Sequence, residues 1–324
     1  MSMSRVRNYD IIRVIAIVMV ICIHCMMPLR DSLIEGANSI SNWVCALYYA
    51  IISAGVPMFF MLSGTLLLGK DEPCLTFYKK RFSRLLIPFI IWSIIVYTLS
   101  ALFLPAQGCV FYVKDFLHLL LTKGVNAAYW FVYMLLVFYL LTPICRIVIS
   151  RIHNYKLCLI GIVMLYLVGF YLTLFVPSLK APCRWLCYFC FYVGGYFCQK
   201  ISFPNVKRWW IGIIVLILIV NTICSVYQIS YIPWTLIYSY LLFICINQFS
   251  LPSSKDDAIT MFSRNSYGIY LSHVIFCGIL MRVSFYVQHV PLVILPILTT
   301  AIVVGIEYVM MRVIEKMGWN RYLC

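Results

Sequence analysis

The sequence predicts an all-α, polytopic integral membrane protein of about ten transmembrane helices, with both termini cytoplasmic. Three observations carry this expectation. The 324 residues are 64% hydrophobic and 11% charged, where soluble domains run roughly half apolar and about a quarter charged. Apolar runs of roughly 20 residues, the length that crosses a bilayer as a helix, recur along the chain. They lack the polar/apolar alternation of barrel strands. Lys and Arg also collect in alternate connections, as the positive-inside bias requires.

The first span, 9–28, follows Arg5 and Arg7. A basic start before an apolar run suits a signal peptide, but Asp10 and Arg13 interrupt it and no small-x-small cleavage site follows. It is read as a retained helix. Span 43–68 contains Pro57-Met58-Phe59-Phe60-Met61-Leu62-Ser63-Gly64, and span 82–104 is preceded by Lys79-Lys80-Arg81-Phe82-Ser83-Arg84. Span 126–148 opens on Ala127-Ala128-Tyr129-Trp130-Phe131-Val132, an aromatic cluster suited to the membrane interface. Spans 155–176, 183–200, 209–227 and 231–249 follow, most of them separated by Pro and polar clusters. Span 266–286 carries Ser266-Tyr267-Gly268-Ile269-Tyr270-Leu271-Ser272-His273, and span 290–314 closes the series. No repeat or linker divides the chain, so 1–324 is read as one transmembrane domain.

Orientation follows from charge. With the N-terminus inside, inner segments hold Arg5, Arg7, Lys70, Lys79, Lys80, Arg81, Arg84, Arg146, Arg151 and most of the remaining cations. Arg30, Lys114, Lys123, Lys180, Arg184 and Arg282 fall outside. The net charge of +15 is thereby a membrane signature, met by anionic lipid rather than by nucleic acid. The fifteen cysteines, odd in number and mostly inside apolar runs, read as packing residues. The Cys187-x-x-Cys190 pair lies in an aromatic span and matches neither a zinc site nor a redox turn, so no metal is expected.

Ionisable residues inside membrane spans are costly and face a bundle interior or water. Asp10, Arg13 and His24 belong to this class. Asp10 stands three residues before Arg13, so the two can pair on one helix face. Arg13 and His24 are eleven residues apart, about three turns, and share a face roughly 16 Å apart along the axis. A packing ion pair and a hydrogen-bonded core histidine would give the same spacing. Arg81 and Arg84 project from one face of a helix start, a placement that suits phosphate oxygens as well as lipid anchoring. Ser63-Gly64 permits close helix approach, and Ser63 has no neighbouring base in sequence to make it a nucleophile. His273 is the other histidine within a span.

Taken in order, Asp10-x-x-Arg13, Arg13 with His24, Val56-Pro57-Met58-Phe59-Phe60-Met61-Leu62-Ser63-Gly64, Arg81-x-x-Arg84 before Leu85-Leu86-Ile87-Pro88, Tyr129-Trp130-Phe131 and Tyr267-Gly268-Ile269-Tyr270-Leu271-Ser272-His273 resemble the acyltransferase-3 family of membrane acyltransferases. The resemblance covers nearly the whole chain and is closest to compact O-acetyltransferases of surface-polysaccharide pathways. It implies an acyl-CoA donor, foremost acetyl-CoA, entering from the cytoplasm. The acceptor is a carbohydrate or lipid-linked glycan hydroxyl, in the inner membrane and in contact with its lipid. The family's essential histidine maps onto His24, its first-helix arginine onto Arg13, and its RxxR pair onto Arg81 and Arg84, with Lys80 assisting. Asp10, Ser63, Trp130 and His273 are the expected substrate-lining residues. One departure stands out: Ala128 occupies the place two residues before the Trp where a His is common, which weakens that motif's substrate role. A flippase of lipid-linked sugar or a small-molecule sensor is the alternative. The chain lacks the internal halves and paired broken helices that a transporter would show.

Overall fold

The computed structural model describes residues 7–26, 40–103, 112–122, 124–203, 208–249, 257–286 and 293–324. Arg5, Arg30, Lys123, the ends of several expected spans and the 104–111 stretch lie outside the described residues. Among the described residues all regular structure is helical. In chain order the helices are α1 Arg7–Cys25, α2 Ile40–Ile52, α3 Gly55–Leu67, α4 Cys74–Phe103, α5 Val113–Thr122, α6 Trp130–Ile149 and α7 Tyr155–Phe175. They continue as α8 Lys180–Lys200, α9 Arg208–Val226, α10 Trp234–Gln248, α11 Ala258–Arg264, α12 Ser266–Tyr286, α13 Leu295–Lys316 and α14 Asn320–Leu323.

Each of the ten expected spans holds a helix, and seven are long and apolar enough to cross a membrane. The other three fall short for different reasons. The apolar parts of α10 and α12 are shorter, Trp234–Gln248 and Ser266–Leu280. The α8 sequence is rich in Tyr and carries Lys180, Arg184 and Lys200, so its apolar density is lower. The second expected span is two helices. Pro57 lacks an N–H and its ring excludes a helical carbonyl four residues earlier, at Ser53, so the helix turns at Ser53-Ala54 and restarts at Gly55.

The first helix is the pillar of the bundle. Ile12, Ala16, Ile17, Val20 and Ile21 recur at helical spacing and are buried. They pack α1 against α3, α12 and α13. Next to it α3 and α8 cross so closely that a Cβ on Gly64 would overlap the Tyr192 carbonyl, and one on Gly195 would overlap the Met61 backbone. Thr65 seals the crossing, its hydroxyl donating to Met61 O at 2.9 Å and lying 2.8 Å from Gly195 O. The expected packing role of the cysteines is visible here and nearby: Cys187, Cys190 and Cys198 of α8 are buried in the aromatic-rich core, and Cys245 of α10 is buried.

One end of the bundle is stitched by ion pairs. Arg7 forks onto Asp257, with Nη1 at 2.8 Å from Oδ1. Asp257 also caps α11, accepting from Thr260 N at 2.8 Å. These hydrogen bonds hold the Asp257 carboxyl well below the usual carboxylate range. At the same end Arg264 meets Glu315 at 2.6 Å. Finally α14 folds back under the bundle, where the Trp92 indole donates to Leu323 O at 3.0 Å.

Candidate functional site

A cavity of about 390 Å³ opens at this end, between α1, α3, α4, α6 and α12. Its wall is apolar and aromatic (Phe59, Leu62, Phe131, Leu135, Tyr139, Tyr270), and its mouth is basic (Arg13, Lys70, Arg81 and Arg84). Arg13, Ser63, Arg81 and Arg84, drawn from three separate helices, thus meet at one cavity.

Each cation is set by its local chain. Asp10 is buried, lies 3.5 Å from Arg13 Nη1, and accepts from the Ser263 hydroxyl at 2.6 Å. Arg13 Nη1 donates to Ser263 Oγ at 3.3 Å. Asp10 is therefore not a wall residue but the group that fixes Arg13, the i,i+3 pairing expected from spacing. Arg81 lies 3.9 Å from Glu72, beside the Phe77 ring. Glu72 is itself held by Arg146 at 3.2 Å, and Arg146 also donates to Leu67 O at 2.8 Å. Arg81 Nε is buried with no hydrogen-bond partner among the described residues. An orphaned buried donor on a cation is costly unless a ligand completes it. Arg84 is exposed at the mouth, whereas Lys80 is exposed and off the cavity wall. Adjacent helical residues point about 100° apart, so Lys80 and Arg81 cannot share a face.

Burial, reinforced by the nearby Arg81 guanidinium, lowers the Lys70 pKa from its ordinary value. The nearby Glu72 carboxylate offsets this only in part.

The inner wall is built by two interlocked motifs. The Tyr129 hydroxyl donates to Leu271 O at 2.8 Å, and the Tyr270 hydroxyl donates to Ala128 O. Tyr267 donates to Leu85 O at 2.9 Å, tying the same helix to α4 just after Arg84. Phe131 contacts Tyr270 at 5.2 Å between ring centroids, and Tyr270 contacts His273 at 5.7 Å. His273 in turn packs on His24 at 5.0 Å. The path from basic mouth through aromatic wall therefore leads to a pair of histidines, although neither His24 nor His273 lines the cavity itself. His24 is half-buried and His273 fully buried. His273 Nδ1 lies 2.6 Å from Tyr270 O. A carbonyl only accepts, so Nδ1 carries the proton there. The neutral ring then keeps its lone pair on Nε2, which has no partner among the described residues.

Trp130 packs on Tyr188 at 5.1 Å, facing α8 rather than the cavity. Ser63 lines the cavity with its hydroxyl donating to Phe59 O at 2.8 Å, which leaves the oxygen as an acceptor there. The sequence reading did not single out Lys70, Tyr139 or Glu307 as site residues, and it named Tyr267 and Tyr270 only as part of a motif. Glu307 is fully buried on α13, and Ser272, next to His273, reaches both its oxygens at 2.7 and 2.9 Å. A carboxyl inside an apolar span was a visible signal. That the tyrosines line a cavity was hidden, because which face of α6 and α12 does so is decided by packing.

Compared with known families, the chain matches a family profile described as an acyltransferase domain over residues 6–311. No curated protein and no solved structure gives a match.

Proposed function

The chain belongs to the acyltransferase-3 family, and from that premise we propose that it moves an acyl group, foremost acetyl, from cytoplasmic acyl-CoA to a hydroxyl of a cell-surface or lipid-linked carbohydrate. The observation that carries this reading is one continuous arrangement: four cations at the mouth of an aromatic cavity whose far wall abuts the His24–His273 pair. Phosphates of CoA suit the basic mouth, where guanidinium forks make charge-assisted hydrogen bonds. The unpaired Arg81 Nε gains a partner there. The pantetheine arm suits the narrow aromatic wall, and its length matches the roughly 16 Å along α1 from Arg13 to His24.

His24 then acts as general base. It takes the proton from the acceptor hydroxyl as the oxygen attacks the thioester carbonyl. The C–S bond breaks, and the proton passes from His24 to the departing CoA sulfur. A transient acyl-imidazole on His24 is the covalent variant of the same geometry. His273 is a positioning residue beside it, with Glu307 and Ser272 fixing its helix.

The test is incubation of purified protein with acetyl-labelled acetyl-CoA and a membrane-glycan extract. CoA release with label in glycan supports the reading, and label retained on denatured protein identifies the covalent route. Binding of glycan with no CoA release would overturn it in favour of transport or sensing. Mass spectrometry of surface glycans from cells with and without the gene then identifies the acceptor.

A further inference from the structure

We propose that the cavity selects its donor by the 3′-phosphate of CoA and that Lys70 is the residue that reads it; this rests on the acyl-CoA reading above. CoA carries phosphate in two places. The diphosphate joins the pantetheine arm to the ribose, and a separate phosphate sits on the ribose 3′ carbon, farther from the thioester. The cations of the mouth are likewise spread in depth. Along the wall, α3 runs from Phe59, which contacts Phe131 at 6.0 Å, to Leu67, about 12 Å further at 1.5 Å per residue. Lys70 lies beyond that end, at the rim farthest from the histidines. On α4, Arg84 adjoins Leu85, whose carbonyl binds Tyr267, whereas Arg81 sits about 4.5 Å nearer the rim and leans toward Glu72 of the Lys70 loop. Arg84 and Arg13 therefore stand at the depth of the diphosphate, and Lys70 with Arg81 at the depth of the 3′-phosphate.

Lys70 is fitted for this role. It is half-buried on the cavity wall, and its ammonium makes no hydrogen bond or ion pair among the described residues. Glu72, the acid closest in sequence but one, is shared between Arg146 and Arg81. Burial and surrounding guanidinium charge disfavour its protonated form. A dianionic phosphate placed against Lys70 and the open Arg81 Nε removes both costs at once. A lysine that only anchored lipid would have no reason to face a cavity.

The test compares the affinity of the purified full chain for acetyl-CoA and for 3′-dephospho-acetyl-CoA. Wild type should prefer acetyl-CoA by roughly tenfold or more, the scale of one charge-assisted hydrogen bond. Lys70→Gln should lose that preference by weakening acetyl-CoA alone, while Lys70→Arg should keep it and so exclude a folding defect. Lys79→Gln, exposed and off the cavity, should change neither affinity. Equal wild-type affinity for both donors, or equal weakening of both by Lys70→Gln, overturns the assignment of Lys70 and leaves the acyl-CoA reading standing. Wild-type protein that binds neither donor overturns both.

Discussion

At the scale of the residue, the proposed function separates donor binding from chemistry. Arg81 and Arg84 line the mouth, while His24 lies beyond the aromatic wall against His273. Arg81→Ala and Arg84→Ala should therefore weaken acyl-CoA binding, by roughly 1.5–3 kcal/mol each if each loses a charged hydrogen bond. Lys79→Ala should not. Arg84→Lys should be a partial loss, since lysine offers no fork. Titration of each variant with acetyl-CoA checks this, and wild-type saturation by both alanine variants would reduce the arginines to lipid anchors. His24→Ala should do the reverse: keep acyl-CoA affinity but lower transfer by about 10²–10⁴-fold, the usual worth of a general base. Yield, affinity and turnover measured on one preparation separate this from a packing defect, which would lower yield and leave activity per folded molecule. Turnover within threefold of wild type would remove His24 from the mechanism. These residues were legible in sequence because charge inside an apolar span is costly enough to mark itself, and helical spacing fixes which of them share a face. Neighbouring positions were less legible. Lys80 adjoins Arg81 in sequence but does not line the cavity, Trp130 faces Tyr188, and Lys70 gave no periodic signal because it lies in a connection.

At the scale of the element, the spans were legible and the breaks less so. Hydropathy registers length and apolarity, so it located ten helices, but it is blind to the Ser53-Ala54 turn inside one apolar run. It also passes over short helices such as the amphipathic α5 and the seven-residue α11, which need a neighbouring surface to be stable. What sets the cavity wall is the α3–α8 crossing, because Leu62, Ser63 and Leu66 on α3 face the cavity while Gly64 faces α8. In lipid, helices associate through close packing of small residues rather than through exclusion of water. A methyl at Gly64 has nowhere to go, since it would meet backbone rather than a side chain that can turn aside. Gly64→Ala should thus cost roughly 1–3 kcal/mol by overpacking and lower the melting temperature in detergent. Gly161→Ala is the matched control, since nothing lies within 4 Å of a Cβ there. Thermal unfolding of both variants in one detergent checks the prediction, and equal melting temperatures would mean that the crossing is not close-packed.

At the scale of the whole molecule, the reading depends on which way the bundle faces, because acyl-CoA is made and held in the cytoplasm while a surface glycan is reached from the other side. Three of the cavity's cations, Lys70, Arg81 and Arg84, belong to segments that the Lys and Arg bias assigns to the inside, and Arg13 lies within the first span. Contacts join those segments to one another: Arg7 to Asp257, Arg146 to Glu72, and Arg264 to Glu315. Segments assigned to the outside likewise meet, with the Tyr48 hydroxyl donating to Val293 O at 3.0 Å and Trp43 against Tyr227. The native cysteines offer a direct check. Cys74 is the exposed cysteine among the described residues and stands at the start of α4, beside the basic mouth. Cys109 belongs to the sequence segment expected outside. A membrane-impermeant maleimide should label Cys74 in sealed inside-out vesicles and leave it unlabelled in right-side-out vesicles, with Cys74→Ser removing the signal. Cys109 should show the opposite pattern, removed by Cys109→Ser. Labelling of Cys74 from the outside would place the phosphate-binding mouth away from the cytoplasmic CoA pool, and the donor assignment would fall with the topology.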